Sequence, residues 1–141
     1  MPLQTAFQAY AGSTQSNVSV GAWGDVDFGT TAFDQNSDYA SNTFTAPVTG
    51  KYQISWHLRL EQIDADQAYF QIQIKTSNRN YIYTVDPGTH DEDAAYHSYA
   101  ASVLADMDAS DTAKIQIYLS AGTTAQVDIA SESFFTAFLA C

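Results

Sequence analysis

The sequence predicts an all-β sandwich or barrel, and three observations carry that prediction. From Lys51 to Glu61 the side chains alternate without a break, with Tyr52, Ile54, Trp56, Leu58 and Leu60 on one side and Lys51, Gln53, Ser55, His57, Arg59 and Glu61 on the other. Successive side chains of a strand face opposite ways, so this is a long strand with one dry face. Shorter alternating runs recur along the chain with turn residues between them. No segment sustains the apolar spacing of three and four that marks a helix, and Thr, Ser, Val, Ile and aromatic residues dominate.

Taken in order, Phe7 and Tyr10 sit in a strand-like run near the start. Residues 15–42 are looser, with Gly21, Gly24, Gly29 and a polar run over 34–38, so strands there, such as 26–28, are expected to be short and at a sheet edge. Pro47 and Gly50 punctuate the approach to the long strand, where a fixed φ and a free φ suit a turn. Beyond it, Phe70, Ile72 and Ile74 alternate with Gln71, Gln73 and Lys75. Val103, Ala105, Met107 and Ala109 alternate with Leu104, Asp106 and Asp108, and Ala113, Ile115, Ile117 and Leu119 with Lys114, Gln116 and Tyr118. Turns are expected at 63–66, 77–80, 86–93, 108–111 and 121–124.

The closing segment, residues 133–140, breaks the pattern of one dry face. Phe135, Ala137 and Leu139 fall on one side, and Phe134 and Phe138 on the other. A strand apolar on both sides needs cover on both sides. In a two-layer sandwich the second cover comes from another chain or domain, and the run with Phe7 and Tyr10 is placed beside this strand.

Composition narrows the function classes. The 141 residues fit one domain, 1–141, and 45% hydrophobic with 13% aromatic residues exclude disorder. The net charge of −11 leaves no basic footprint for nucleic acid and disfavours adsorption to an anionic membrane. No apolar run approaches the roughly 20 residues that insert across a bilayer. Such acidity reads as solubility before it reads as a cationic partner. Cys141 is the only cysteine, so no intrachain disulfide staples the fold. The start, Met1-Pro-Leu-Gln-Thr, has no basic region followed by an apolar one, so the product is expected either to be used without secretion or to be cut from a longer chain.

Five segments, in order along the chain, resemble the C1q-like domain. Phe44-Thr-Ala-Pro-Val-Thr-Gly-Lys-Tyr-Gln-Ile follows that family's F-T-x-P-x-x-G-x-Y-x-F segment. Residues 102–111 match its strand ending in a Gly-Asp turn, with Ser110 in place of the glycine, and residues 113–119 match the strand that follows. Ser133-Phe-Phe-Thr-Ala-Phe-Leu is similar to its closing S-x-F-x-G-F-L strand, with Ala137 in place of the glycine. Ala6-Phe7-Gln-Ala9 resembles its first strand. The resemblance covers about Thr5 to Cys141. It implies a ten-stranded antiparallel jelly-roll sandwich of the C1q/TNF type that assembles as a homotrimer, with the sheet of the terminal strands turned inward. Phe7, Tyr10, Phe134 and Phe138 are then the expected trimer interface.

The densest set of possible ligands is His90-Asp-Glu-Asp-Ala-Ala-Tyr-His97. Asp86, His90, Asp93, Tyr96 and His97 are the candidate ligand-binding residues, in what reads as the longest loop, 86–99. Some C1q-like trimers hold calcium through acidic residues of the corresponding loop, which makes Asp86 and Asp93 the candidates for calcium; the simpler reading is a solvated acidic loop. No other cofactor is expected. Residues 106–111 begin like a calcium loop but lack its glycine and closing glutamate, and a turn explains them. There is no G-x-S-x-G, H-E-x-x-H or phosphate-cradling motif, so no enzyme is expected.

The expected function is a trimeric binding module. The leading reading is the tip of a bacteriophage or other virion fibre that recognises a host-surface glycan or protein, because stalkless modules similar to this one end such fibres and the lysine-poor, Ser/Thr/Asn/Gln-rich style suits them. The alternatives are a secreted or cell-surface C1q-like ligand-binding protein and a structural trimerisation cap.

Overall fold

A computed structural model describes residues 4–120 and 127–141, and the turn expected at 121–124 lies outside the described residues. The strands are β1 (Ala6–Tyr10), β2 (Trp23–Asp25), β3 (Thr30–Asp34), β4 (Tyr39–Ala40), β5 (Thr43–Thr45), β6 (Gly50–Ile63), β7 (Phe70–Thr76), β8 (Asn80–Val85), β9 (Ala94–Met107), β10 (Thr112–Leu119), β11 (Asp128–Ile129) and β12 (Phe134–Leu139). A 3-10 turn at Pro87–Thr89 is the one helical piece among the described residues. The count exceeds the ten strands expected because short pairings such as β4 and β11, two residues each, stand apart from the longer ones.

The strands form two antiparallel sheets. In the first, β6 pairs along its length with β9 on one edge and with β12 and then β11 on the other, and the sheet continues from β12 through β1 to β3. In the second, β10 pairs with β7 on one edge and with β5 and β2 on the other; β8 and β4 are the outermost strands. The chain thus ends in a strand, β12, bonded on both edges in the middle of its sheet.

Alternation on β6 puts Tyr52, Ile54, Trp56, Leu58 and Leu60 into the core, each 0–2% exposed. They meet Phe70, Ile72 and Ile74 of β7 and Ala113, Ile115, Ile117 and Leu119 of β10 from the facing sheet, in one contiguous cluster. One end of the sandwich is aromatic. Phe7 stacks on Tyr39 and Phe44 at 4.8 and 5.1 Å and meets the edge of Phe135 at 4.9 Å. Phe44 in turn meets Tyr52 at 5.4 Å. Offset and edge-on ring pairs of this kind add to the gain from burial alone. The Tyr39 hydroxyl donates to the Phe28 carbonyl at 3.0 Å, which satisfies its polar tip inside the cluster.

Several local expectations change. The strand near 26–28 is instead β2 at Trp23–Asp25; Val26 and Phe28 follow it as buried core residues outside any strand, with Val26 N–H donating to the Ile115 carbonyl at 3.0 Å. Gly50 is not in the left-handed region. Its lack of a side chain serves close approach: a Cβ there would lie 2.7 Å from the Cys141 carbonyl oxygen and 2.7 Å from Leu139 Cδ1. Ser110 does take the conformation its glycine equivalent would favour, at φ 76°, while Ala137 is an ordinary buried strand residue between Phe7 and Ile54.

Two substitutions test this local reading. Ser110→Gly relieves a left-handed serine and should stabilise by about 1 kcal/mol, read as a melting temperature raised by roughly 3 °C. Gly50→Ala should cost about 1–3 kcal/mol by forcing the chain end away; thermal melts in which neither variant moves would contradict both assignments.

Candidate functional site

Three surfaces qualify as recognition surfaces, and the first is the outward face of the terminal-strand sheet. The register lines up Tyr10, Phe134, His57 and Ala100 in one row across β1, β12, β6 and β9. A parallel row holds Ala6, Phe138, Gln53 and Leu104. Phe138 is 45% and Leu104 55% exposed, and Phe33 of β3, opposite Gln8, is exposed beside them. His57 stacks on Phe134 at 5.1 Å, and its Nδ1 is buried with no hydrogen-bond partner. An open hollow of about 380 Å³ lies here, lined by Ser55, His57, Ala100, Ser102 and Phe134. Further along, Arg59 lies 4.9 Å from the Tyr96 ring centre and pairs with Glu61 at 3.1 Å and with Glu132.

Phe7 is a correction. It is 1% exposed inside its own protomer, so it cannot lie on this outward face. Phe7 and Tyr10 are three residues apart on one strand, an odd spacing that sends them to opposite faces. Leu104 and Phe33, absent from the expected interface, take their place on this surface; the signal for Leu104 was an apolar residue among the polar alternates of β9.

The second surface is the stretch 86–99, which is not one loop. β9 begins at Ala94, so Tyr96 and His97 are strand residues facing opposite ways. Tyr96 joins Arg59 on the outward face, whereas His97 stacks on Tyr99 at 4.6 Å and lies 5.2 Å from His90. Asp86 caps the 3-10 turn, its Oδ1 accepting from Gly88 N–H at 2.9 Å. Asp93 Oδ1 accepts from Ala65 N–H at 2.9 Å and ties this segment to the neighbouring turn. The two carboxylates thus hold separate turns, and no group of three or more His, Cys, Asp or Glu side chains among the described residues converges as a metal site requires. The geometry does not fit the calcium site considered from sequence. Residues 108–111 form the expected turn, with Asp111 Oδ2 accepting from Asp108 N–H at 2.8 Å.

The third surface, the outer face of the second sheet, carries residues the sequence reading passed over. Trp23 of β2 lies opposite Tyr118 of β10, and Asp25 opposite Gln116. Tyr118 was the signal: an aromatic among the polar alternates of its strand. Gln73 Nε2 donates to Gln116 Oε1 at 2.8 Å, and Gln116 Nε2 donates to Asp25 Oδ1 at 2.7 Å. Lys114 Nζ lies 3.0 Å from the same carboxylate. Burial works against the charge on Asp25, but the hydrogen bonds from Gln116 and Lys114 outweigh it and hold the carboxyl below the usual aspartate range.

That depressed value has a sign. A carboxylate whose pKa is lowered in the fold contributes stability above its unfolded value, near 3.8, and loses it as the pH falls through the lower folded value. Asp25→Asn should therefore melt below the parent protein at neutral pH, with the gap closing on acidification. A gap independent of pH would show that Asp25 carries no such linkage.

No protein-family model matches the sequence, and no curated protein matches it either. Similarity is found among solved structures. The globular domain of zebrafish complement 1qA aligns with a TM-score of 0.72 at 14% identity, over 99% of this chain and 98% of that one. Murine APRIL at pH 8.0 aligns with a TM-score of 0.68 at 9% identity, over 97% of this chain and 99% of that one. Identities this low speak to architecture alone. The architecture, from first strand to last, is the C1q/TNF-type jelly-roll sandwich.

Proposed function

We propose that this protein is a non-enzymatic extracellular binding module that assembles as a homotrimer through the outward face of its terminal-strand sheet. One observation carries the reading: a strand bonded on both edges, β12, presents Phe134 and Phe138 outward, and among the described residues nothing covers Phe138 or its row neighbour Leu104. Burying one such phenylalanine contributes roughly 1.5–3 kcal/mol, repeated in every subunit of a closed ring.

A second apolar surface favours a ring over a twofold. At the opposite end of the sheet order, edge strand β8 exposes Ile82 and Tyr83 beside an opening of about 300 Å³ between it and β9, lined by Trp56, Ile74, Tyr81, Tyr83 and Val103. A twofold contact joins one patch to itself, whereas two different patches on one chain suit a head-to-tail contact that closes on rotation. The jelly-roll likeness to a complement globular domain and to APRIL supports the same assembly.

The likeness also favours the secreted or cell-surface reading over the virion fibre, which was the leading expectation from sequence. The virion setting keeps one observation in its favour, a chain with 5 basic against 16 acidic residues in the lysine-poor style noted above. Capsid or tail genes flanking the coding sequence would overturn the extracellular reading in its favour.

Phe138→Asp places a charge in the proposed contact. It should convert the trimer to monomer in sedimentation velocity while the β-sheet circular dichroism persists, since Phe138 has no place in the protomer core. An unchanged oligomer with an unchanged melting temperature would refute the interface.

A further inference from the structure

The outer face of the second sheet has an organisation that sheet packing does not require. Its aromatic rung is the cross-strand pair Trp23 and Tyr118, with ring centres 5.5 Å apart, extended by Tyr69 at 6.0 Å from Tyr118. Trp23 is 37% exposed and Tyr69 is similarly open. The next rung along the same two strands is polar: Asp25 and Gln116, backed by Gln73. Within this relay each amide is oriented by the next, and the chain ends on an ionised carboxylate beside an indole. Gln73 is only 3% exposed, yet among the described residues its Oε1 accepts no hydrogen bond. Folded proteins seldom leave such an acceptor orphaned.

We propose that this face is a carbohydrate subsite, in which the ring strip of Trp23, Tyr118 and Tyr69 receives the C–H face of a neutral sugar while Asp25, oriented by Gln116, bonds its hydroxyls. The inference deepens the binding-module reading and rests on it. A pyranose is amphipathic, with an apolar face of C–H groups and a rim of hydroxyls that donate and accept. Tyrosine and tryptophan match the first, offering flat apolar bodies with polar tips. A fixed carboxylate matches the second: Asp25, its side chain 45% exposed, keeps lone pairs for neighbouring hydroxyls, while Gln116 and Gln73, buried behind it, hold it in place.

Charge selects the class of sugar. The chain carries −11 overall, which outweighs the two cations near the polar rung, Lys114, paired with Asp25, and Lys75, opposite Lys114 on β7. A sialylated or sulfated glycan would meet repulsion there, and a neutral one would not. Position matters as well. The Trp23–Tyr118 and Asp25–Gln116 rungs lie on β2 and β10, whereas the proposed contact takes Phe138 of the first sheet and the β8 edge of the second, on the far side of β7, so self-association leaves Trp23 and Asp25 open.

The test uses the full chain and a printed array of neutral oligosaccharides, with sialylated ones as the charged comparison. The chain has two tryptophans, and Trp56 is buried in the core, so acrylamide quenching of fluorescence reports Trp23. Binding to at least one neutral class is expected, with that oligosaccharide in solution protecting Trp23 from quenching. Trp23→Ala and Asp25→Asn should each weaken binding by about tenfold or more, with sedimentation and circular dichroism unchanged. If Trp23→Ala unfolds, Asp25→Asn and Tyr69→Ala carry the same expectation. No binding to any neutral oligosaccharide, selective binding of sialylated ones, or undiminished binding by the folded variants overturns the proposal. A monomer that still binds sugar would refute the proposed assembly and leave this subsite standing; a trimer that binds none would do the reverse.

Discussion

The structure depends on one placement: the last strand of the chain, β12, lies between β1 and β6 and is apolar on both faces. Its inner residues, Phe135 and Ala137, complete the core, and Phe135 meets Phe7 and Phe28 at 4.9 and 5.8 Å. Everything nearby is arranged around it. β1 has no partner on that side without β12, Gly50 is bare so that the chain end can pass, and Lys51 N–H donates to the Cys141 carbonyl at 2.7 Å. A sheet whose central strand pairs with β1 and β6, far away along the chain, is assembled from contacts distant in sequence, which makes folding slow relative to local topologies. The outward side of the same strand then leaves Phe134 and Phe138 to be covered by something outside the protomer.

Much of this was legible because a strand has a period of two. The dry face of β6, the inward residues of β7 and β10, and the two-faced character of β12 follow from alternation alone, and each is where alternation puts it. The failures have equally simple causes. Phe7 and Tyr10 were placed on one face although an odd spacing separates them. Val26 and Phe28 read as a strand because they alternate, but β2 ends at Asp25 and, beyond the Val26 bond to Ile115, the segment leaves the ladder while both side chains still fill the core. The acidic run over 86–93 made the following residues look like loop, whereas pairing with β6 extends β9 back to Ala94.

The candidate surfaces were less legible than the fold because they depend on which strands become neighbours. Nothing local in the sequence says that Trp23 will face Tyr118, or Asp25 face Gln116; those rungs exist only once β2 has paired with β10. The same holds for the row that sets Phe138 beside Gln53 and Leu104. The result is a division of labour between the two sheets: apolar side chains gather on the outward face of one, and rings with ordered polar partners on the other. The acidic surplus lies mostly between the strands, and Arg59, Arg79 and Lys114 are each held in an ion pair. Exposed pairs of this kind add little stability but keep the few cations from forming a basic patch.

The central claim is that the outward face of β12 is covered by other copies of the same chain. Sedimentation equilibrium of the unmodified protein over a range of concentrations measures this most directly. The account predicts a single species of three times the 15.4 kDa chain mass that persists on dilution. A stable species of 15.4 kDa at all concentrations would contradict it.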